Sequence, residues 1–215
     1  MLEIQNLYKS FDDVHVLNKV NLHLEKGLVY TLKGGNGSGK STLFNIISGF
    51  LSPTKGIIYF KGEKITQFAP YKINRLGIGR TFQDLRLATQ MTVNENVLLA
   101  LEKKTFAFPT KSQKDKITEI LDKVSLTEKK EELAGEISYG QQKLLTIACC
   151  IANDADLLLI DEPVAGIDKD NQIKIAKLIC LFKNEGKTIL QIEHNAAYIE
   201  DTSDYVLHME KGFIC

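Results

Sequence analysis

Between Leu28 and Gly49 the chain reads LVYTLKGGNGSGKSTLFNIISG, and this stretch restricts the possible folds most strongly. Leu28 to Leu32 is an apolar, β-rich run. A glycine loop follows, and Ser41 to Ser48 then places Leu43, Phe44, Ile46 and Ile47 at helical spacing, with Gly49 where a helix stop belongs. The loop fills the pattern G-x-x-x-x-G-K-[ST] with Gly34, Gly39, Lys40 and Ser41. Glycines let backbone N–H groups converge on phosphate oxygens, and the positive end of the new helix points at the same charge. Lys40 would reach the β- and γ-phosphates, and the Ser41 hydroxyl would ligate Mg²⁺. The strand–loop–helix context makes this a nucleoside triphosphate site.

A phosphate loop of this kind calls for a metal partner and a water-activating group. The stretch DLLLIDEPVAGID offers both. Leu157 to Ile160 is a continuous apolar run, as expected of a parallel strand buried on both faces. It ends in Asp161 and Glu162, where ligands of a doubly wound sheet sit. Asp161 could hold Mg²⁺ through water, and Glu162 could accept the proton of an attacking water. KTILQIEH is a further strand-like run, ending in Glu193 and His194. A lone histidine is more often structural or solvated, but one ending a strand of the same sheet is a better candidate for the γ-phosphate.

A second polar helix start lies almost a hundred residues downstream. ISYGQQKLL places Ser138 as a cap before Leu144, Leu145, Ile147, Ala148 and Ile151, which recur at the spacing of a buried helical face. A capped helix serving only packing accounts for the apolar stripe. It leaves the small polar residues at the start unexplained.

Composition closes off several alternatives. Lys+Arg and Asp+Glu are 27 each, so no global charge favours nucleic acid. No apolar run approaches the about 20 residues that span a bilayer. MLEIQNLYKS has no signal-peptide core, which predicts a chain that stays in the cytosol. Cys149, Cys150, Cys180 and Cys215 show no metal spacing and are expected to be incidental thiols.

Taken in order, these residues resemble the ATP-binding subunit of an ABC transporter, nearly end to end. GGNGSGKST, with Gly34, Gly35, Asn36, Gly37, Ser38, Gly39, Lys40, Ser41 and Thr42, resembles that family's first phosphate motif. RTFQD supplies Gln83, matching the glutamine that links the metal site to the membrane partner. ISYGQQ is similar to the family's signature sequence, LLLIDEP to its second phosphate motif, AGID with Asp168 to its D-loop, and IEH to its switch histidine. Phe11 falls where the family stacks an aromatic ring on adenine. The resemblance implies ATP and Mg²⁺, with Ser41, Gln83 and Asp161 around the metal and Glu162, His194 and Gln83 carrying the chemistry. It also implies two ATP-binding subunits packed head to tail, so that Ser138, Gly140 and Gln141 meet the nucleotide of the other chain. The partner subunit would be identical or a sister chain. Transmembrane permease subunits, docking on residues 84–98, are implied too, with a solute-binding protein as a further partner, at the cytoplasmic face of the membrane.

Departures from the pattern are Tyr139 for a glycine, Gly35 where proline or serine is common, and Lys33 before the loop. The Tyr-Gly-Gln signature, IGRTFQDLRLATQMTVNENVL and EPVAGID look most like branched-chain and related polar amino-acid importers. An exporter or lipid-handling ATPase, a soluble ABC ATPase and a non-hydrolysing nucleotide switch are the alternatives.

The expected architecture is α/β. It comprises an ABC ATPase core at 1–83 and 153–215, with a mostly parallel sheet and an antiparallel β part, and a helical subdomain at 84–152. GIIYFKGEKI reads as a hairpin in the core, and the charge run Lys103 to Lys116 as a solvated face.

Overall fold

The computed structural model describes residues 1–101 and 110–215. Strands β1 (Leu2–Phe11) and β2 (Val14–Leu24) open the chain, ahead of the short apolar β3 (Val29–Lys33). The glycine loop then leads into helix α1 (Lys40–Ile47). Strands β4 (Lys55–Phe60) and β5 (Glu63–Lys64) form the expected hairpin, whose turn sets Lys61 and Gly62 at φ 52° and 82°. Helix α2 (Pro70–Arg75) and strand β6 (Ile78–Arg80) complete this part.

A helical stretch follows: α3 (Val93–Leu101), α4 (Lys111–Lys123), a 3-10 turn at Thr127–Lys129 and α5 (Tyr139–Ala152). The remainder alternates β7 (Leu157–Asp161), α6 (Lys169–Asn184), β8 (Thr188–Ile192), α7 (Ala196–Thr202), β9 (Tyr205–Glu210) and β10 (Phe213–Ile214).

Strands β2, β1, β4 and β5 make an antiparallel sheet in that order, and β10-β9-β3-β8-β7-β6 make the second sheet. In the second sheet every pairing but β9 with β10 is parallel. Register brings three strand ends to one edge. Leu32 and Asp161 each pair with Ile192, and the phosphate loop starts just beyond Leu32. Arg80 pairs with Leu159, which carries the segment beyond β6 to the same edge.

The all-apolar β7 is explained by its two covered faces. Leu158 and Ile160 join a core with α5 and α6, while Leu157 and Leu159 join one with α1 and the antiparallel sheet. The first core runs on without a break into Val97, Ile117 and Leu121 of the helical stretch, so α3 and α4 hang from the sheet through α5.

Part of the charge run falls at 103–109, outside the described residues. Of its remainder, Lys111 and Lys114 are exposed and Lys116 pairs with Asp154 at 2.8 Å. All four cysteines are free. Burial pushes the Cys149 thiol up to about 12 and that of Cys150 higher still. Among the described residues no helix is long and apolar enough to cross a membrane.

Candidate nucleotide site

The phosphate loop folds as its glycines require. Gly37 and Gly39 take φ 77° and 108°, in the left-handed region. A side chain at Gly39 would put a Cβ 2.8 Å from Leu17 Cδ2, and one at Gly34 would lie 2.2 Å from the Met209 carbonyl oxygen. A Cβ at Gly35 meets nothing within 4 Å, so that position has room for a side chain.

The first hydrogen bond of α1 is from Leu43 N to Gly39 O at 2.9 Å. The amides of the first turn therefore have no helical acceptor and are free for an anion. Lys40 is buried, with Nζ curled back to donate to the carbonyls of Gly34 at 2.7 Å and Gly35 at 2.9 Å. Burial lowers its pKa, opposed by the carboxylates of Glu162 and Asp161. Ser38 Oγ is buried and has no hydrogen-bond partner among the described residues. An orphaned hydroxyl and unpaired amides beside a lysine are the donor set that a triphosphate satisfies.

These groups line a cavity of about 480 Å³ that also takes in Asn36, Ser41, Thr42, Gln83 and Glu162. Val16 and Ile192 supply its apolar wall. Phe11, Asp161 and His194 stand outside that lining. Phe11 is 43% exposed at the end of β1, with Lys9 Nζ 4.7 Å above its ring, and His194 is exposed. A groove of about 550 Å³ between α6 and α7 contains none of the motif residues.

The strand end that carries the two acids is tied to the segment beyond β6. Asp161 N donates to Thr81 Oγ1 at 3.0 Å, and Thr81 N donates to Leu159 O at 2.9 Å. Burial raises the Asp161 pKa, while the Arg80 guanidinium nearby opposes the rise. Arg80 donates to Asn45 Oδ1 at 2.8 Å and Ser48 Oγ at 2.7 Å. Burial pushes its own pKa down to about 10.

Glu162 is a non-glycine residue at φ 47°. Its amide donates to Ile192 O at 3.0 Å, and Gln83 Nε2 donates to its Oε2 at 3.4 Å. Among the described residues no three His, Cys, Asp or Glu side chains converge as a metal cage. The donors at hand, a Ser41 hydroxyl, the Gln83 amide and the Asp161 carboxylate, instead fit a hard cation that arrives with its phosphates.

The signature segment takes no part in the lining of that cavity. Ser138 caps α5 in a capping box, accepting from Gln141 N at 3.3 Å while Gln141 Oε1 accepts from Ser138 N at 2.9 Å. Gly140 is buried, and a Cβ there would lie 2.4 Å from Asn171 Nδ2. Asn171 also reaches Asp168 Oδ2 at 2.6 Å, and Asp168 caps α6 by accepting from Asn171 N at 3.0 Å. Part of the reason for Gly140 and Asp168 is thus internal: they seat α5 against α6. Tyr139 is 47% exposed, and a Cβ at Gly166 of the D-loop would lie 3.6 Å from its Cε1. Residues 138–141 are absent from the lining of the phosphate cavity.

Sequence reasoning missed Val16, Arg80 and Lys143, and named Glu193 only as a strand end. Gln141 three residues after Ser138 was a readable capping-box signal, whereas a buried lysine inside an apolar stripe announces nothing by itself.

A P-loop strand–loop–helix, acids at a parallel strand end and a separate capped helix between them define a nucleotide-hydrolysing cassette. Comparison with known proteins makes this specific: residues 17–165 match the family model described as "ABC transporter", and the chain belongs to that family. It is 35% identical to the high-affinity branched-chain amino acid transport ATP-binding protein BraF of Pseudomonas aeruginosa, over 99% of this chain and 89% of that protein. Its identity to the probable branched-chain amino acid transport ATP-binding protein LivG of Archaeoglobus fulgidus is also 35%, over 100% of this chain and 87% of that one.

Among solved structures, an ABC transporter cassette in its ADP conformation superposes with a TM-score of 0.91 at 32% identity, covering 100% of this chain and 89% of that one. A bacterial cassette solved as a dimer gives 0.89 at 26% identity, covering 100% and 96%. The chain is therefore an ATP-binding, Mg²⁺-using ATPase subunit of the ABC type. Subunits of this class work in pairs with transmembrane permease components.

Proposed function

We propose that this chain powers an importer of branched-chain or related amino acids, docked at the cytoplasmic face of the membrane. The similarity to BraF and LivG over nearly the whole chain supports the cargo class. The observation that carries the mechanism is Glu162, which stands at the end of a buried strand in the same cavity as the phosphate loop, with Gln83 3.4 Å away.

In this reading Lys40 exchanges its two carbonyl partners for the β- and γ-phosphates, and the unpaired amides of the loop and first turn hold the remaining oxygens. Glu162 orients and deprotonates the attacking water, and His194 swings in from the exposed edge to the transferring group. Phe11 meets the adenine. Ser41, Gln83 and Asp161 would hold a metal ion brought with the nucleotide, which would neutralise phosphate charge.

Ser138, Gly140 and Gln141, with Asp168, face the nucleotide of a second ATP-binding subunit. Residues 84–98 receive the permease, and a solute-binding protein supplies the cargo outside. Residues 84–152 form a helical subdomain on the ATPase core at 1–83 and 153–215.

Two measurements test this. Glu162→Gln keeps ATP affinity and loses turnover by orders of magnitude; turnover like the native chain's would remove Glu162 from its role. Mild-detergent purification of the tagged chain from its own membranes should bring multi-span permeases with it. Recovery with no membrane partner would overturn the transporter assignment and leave the hydrolytic site standing.

A further inference from the structure

Lys143 is a lysine in an apolar helical stripe, only 6% exposed. A buried ammonium is costly unless its donors are used. Here they leave α5 for the loop after β7, donating to the carbonyl oxygens of Glu162 at 2.6 Å and Ala165 at 2.7 Å. From the end of β8, Glu193, 3% exposed, grips the same loop: its Oε2 accepts from Val164 N at 3.3 Å. Its Oε1 accepts from His194 N at 2.8 Å and Asn195 N at 3.1 Å. Burial lowers the Lys143 pKa, and Glu193, then Glu162 and Asp161, oppose that shift.

The loop between these two groups contains the one strained residue of the site. Glu162 sits at φ 47°, a strained conformation for a residue with a side chain, which persists only if its surroundings over-determine it. A lysine on its carbonyl and a carboxylate two residues on supply that constraint from two different elements.

We propose that Lys143, working across the loop from Glu193, is a positioning residue for hydrolysis, fixing the main chain of Glu162 to the signature helix. The proposal rests on Glu162 being the water-activating base. It also gives the signature helix a physical route to the chain's own carboxylate: α5 cannot shift relative to β7 without pulling the Glu162 carbonyl.

The experiment compares the full chain with Lys143→Met, Lys143→Arg, Glu193→Gln and Glu162→Gln, measuring nucleotide affinity, kcat, KM and melting temperature. Misplacing a catalytic group by about 1 Å can cost 100-fold, so Lys143→Met should lower kcat by about tenfold or more. Its nucleotide affinity and KM should stay within about twofold, because no phosphate contact changes. Lys143→Arg, which keeps donors in place, should recover most of the rate. Glu193→Gln should lower kcat in the same way, and Lys143→Met on top of it should cost less than it does alone.

Native kcat in Lys143→Met, with only a lower melting temperature, would overturn the proposal and leave a structural lysine. If Lys143→Met does not fold well enough to bind nucleotide, native kcat in the nearly isosteric Glu193→Gln overturns it instead. Normal turnover in Glu162→Gln would instead sink the base assignment, and this positioning role with it.

Discussion

The phosphate loop lysine illustrates how a single residue is prepared for its ligand. Lys40 Nζ is desolvated yet satisfied by the carbonyls of Gly34 and Gly35. Both are borrowed partners from the start of the loop, exchangeable for phosphate oxygens. Lys40→Met removes the charge while keeping the apolar stem packed. Hydrogen bonds to charged groups are worth about 1.5–3 kcal/mol, so ATP affinity should fall about 10- to 100-fold. Fluorescent-nucleotide titration would read this, and an unchanged affinity would mean the side chain keeps to the carbonyls when ATP is bound. Residues of this kind were legible in the sequence because a loop that must admit phosphate tolerates few side chains. Lys143 was not, because its partners are main-chain atoms of a loop distant in sequence, and Glu193 was readable as a strand end but not as a grip on Val164 of that loop. Nothing about a lysine inside Gln142-Lys143-Leu144 marks it as buried.

At the scale of elements, β7 and β8 were readable as apolar runs because both faces of a central parallel strand are covered. The hairpin of β4 and β5 was readable from its alternation. The sequence was silent on the packing of α5 against α6, since contact between helices depends on where each is hung from the sheet. Gly140 is where this becomes testable. A Cβ there meets Asn171 Nδ2 at 2.4 Å, so Gly140→Ala must either turn the Asn171 side chain off Asp168 or push apart the two helix starts. Overpacking of this kind costs about 1–3 kcal/mol. In a chain of this size about 1 kcal/mol moves the melting temperature by about 2–4 °C. Calorimetry of the isolated chain without nucleotide should therefore register Gly140→Ala, and the double substitution with Asn171→Ala should recover most of the loss. If the single substitution leaves melting unchanged, the glycine has no internal reason and serves only approach by the other chain.

At the scale of the molecule, one geometric fact decides how many chains make a working site. Residues 138–141 stand at the start of α5, outside the lining of the cavity formed by residues 36–42 with Gln83 and Glu162. A helix start so well capped still presents its dipole outward, toward whatever anion docks there. In a head-to-tail pair each phosphate loop would be completed by the other chain's signature. Lys40→Ala should then disable the site on its own loop, and Ser138→Arg the site on its neighbour's loop. Neither variant alone should hydrolyse ATP. A two-fold pair containing one chain of each has one site spoiled twice and the other intact. Mixing the two inactive proteins should therefore restore hydrolysis to a sizeable fraction of the native rate, at concentrations where pairs form. Restoration requires the signature to act across the interface, because within one chain each mixed partner still carries its own defect. A mixture as inactive as its components would place the signature's role inside the chain, where Gly140, Asn171 and Asp168 already give it a packing function.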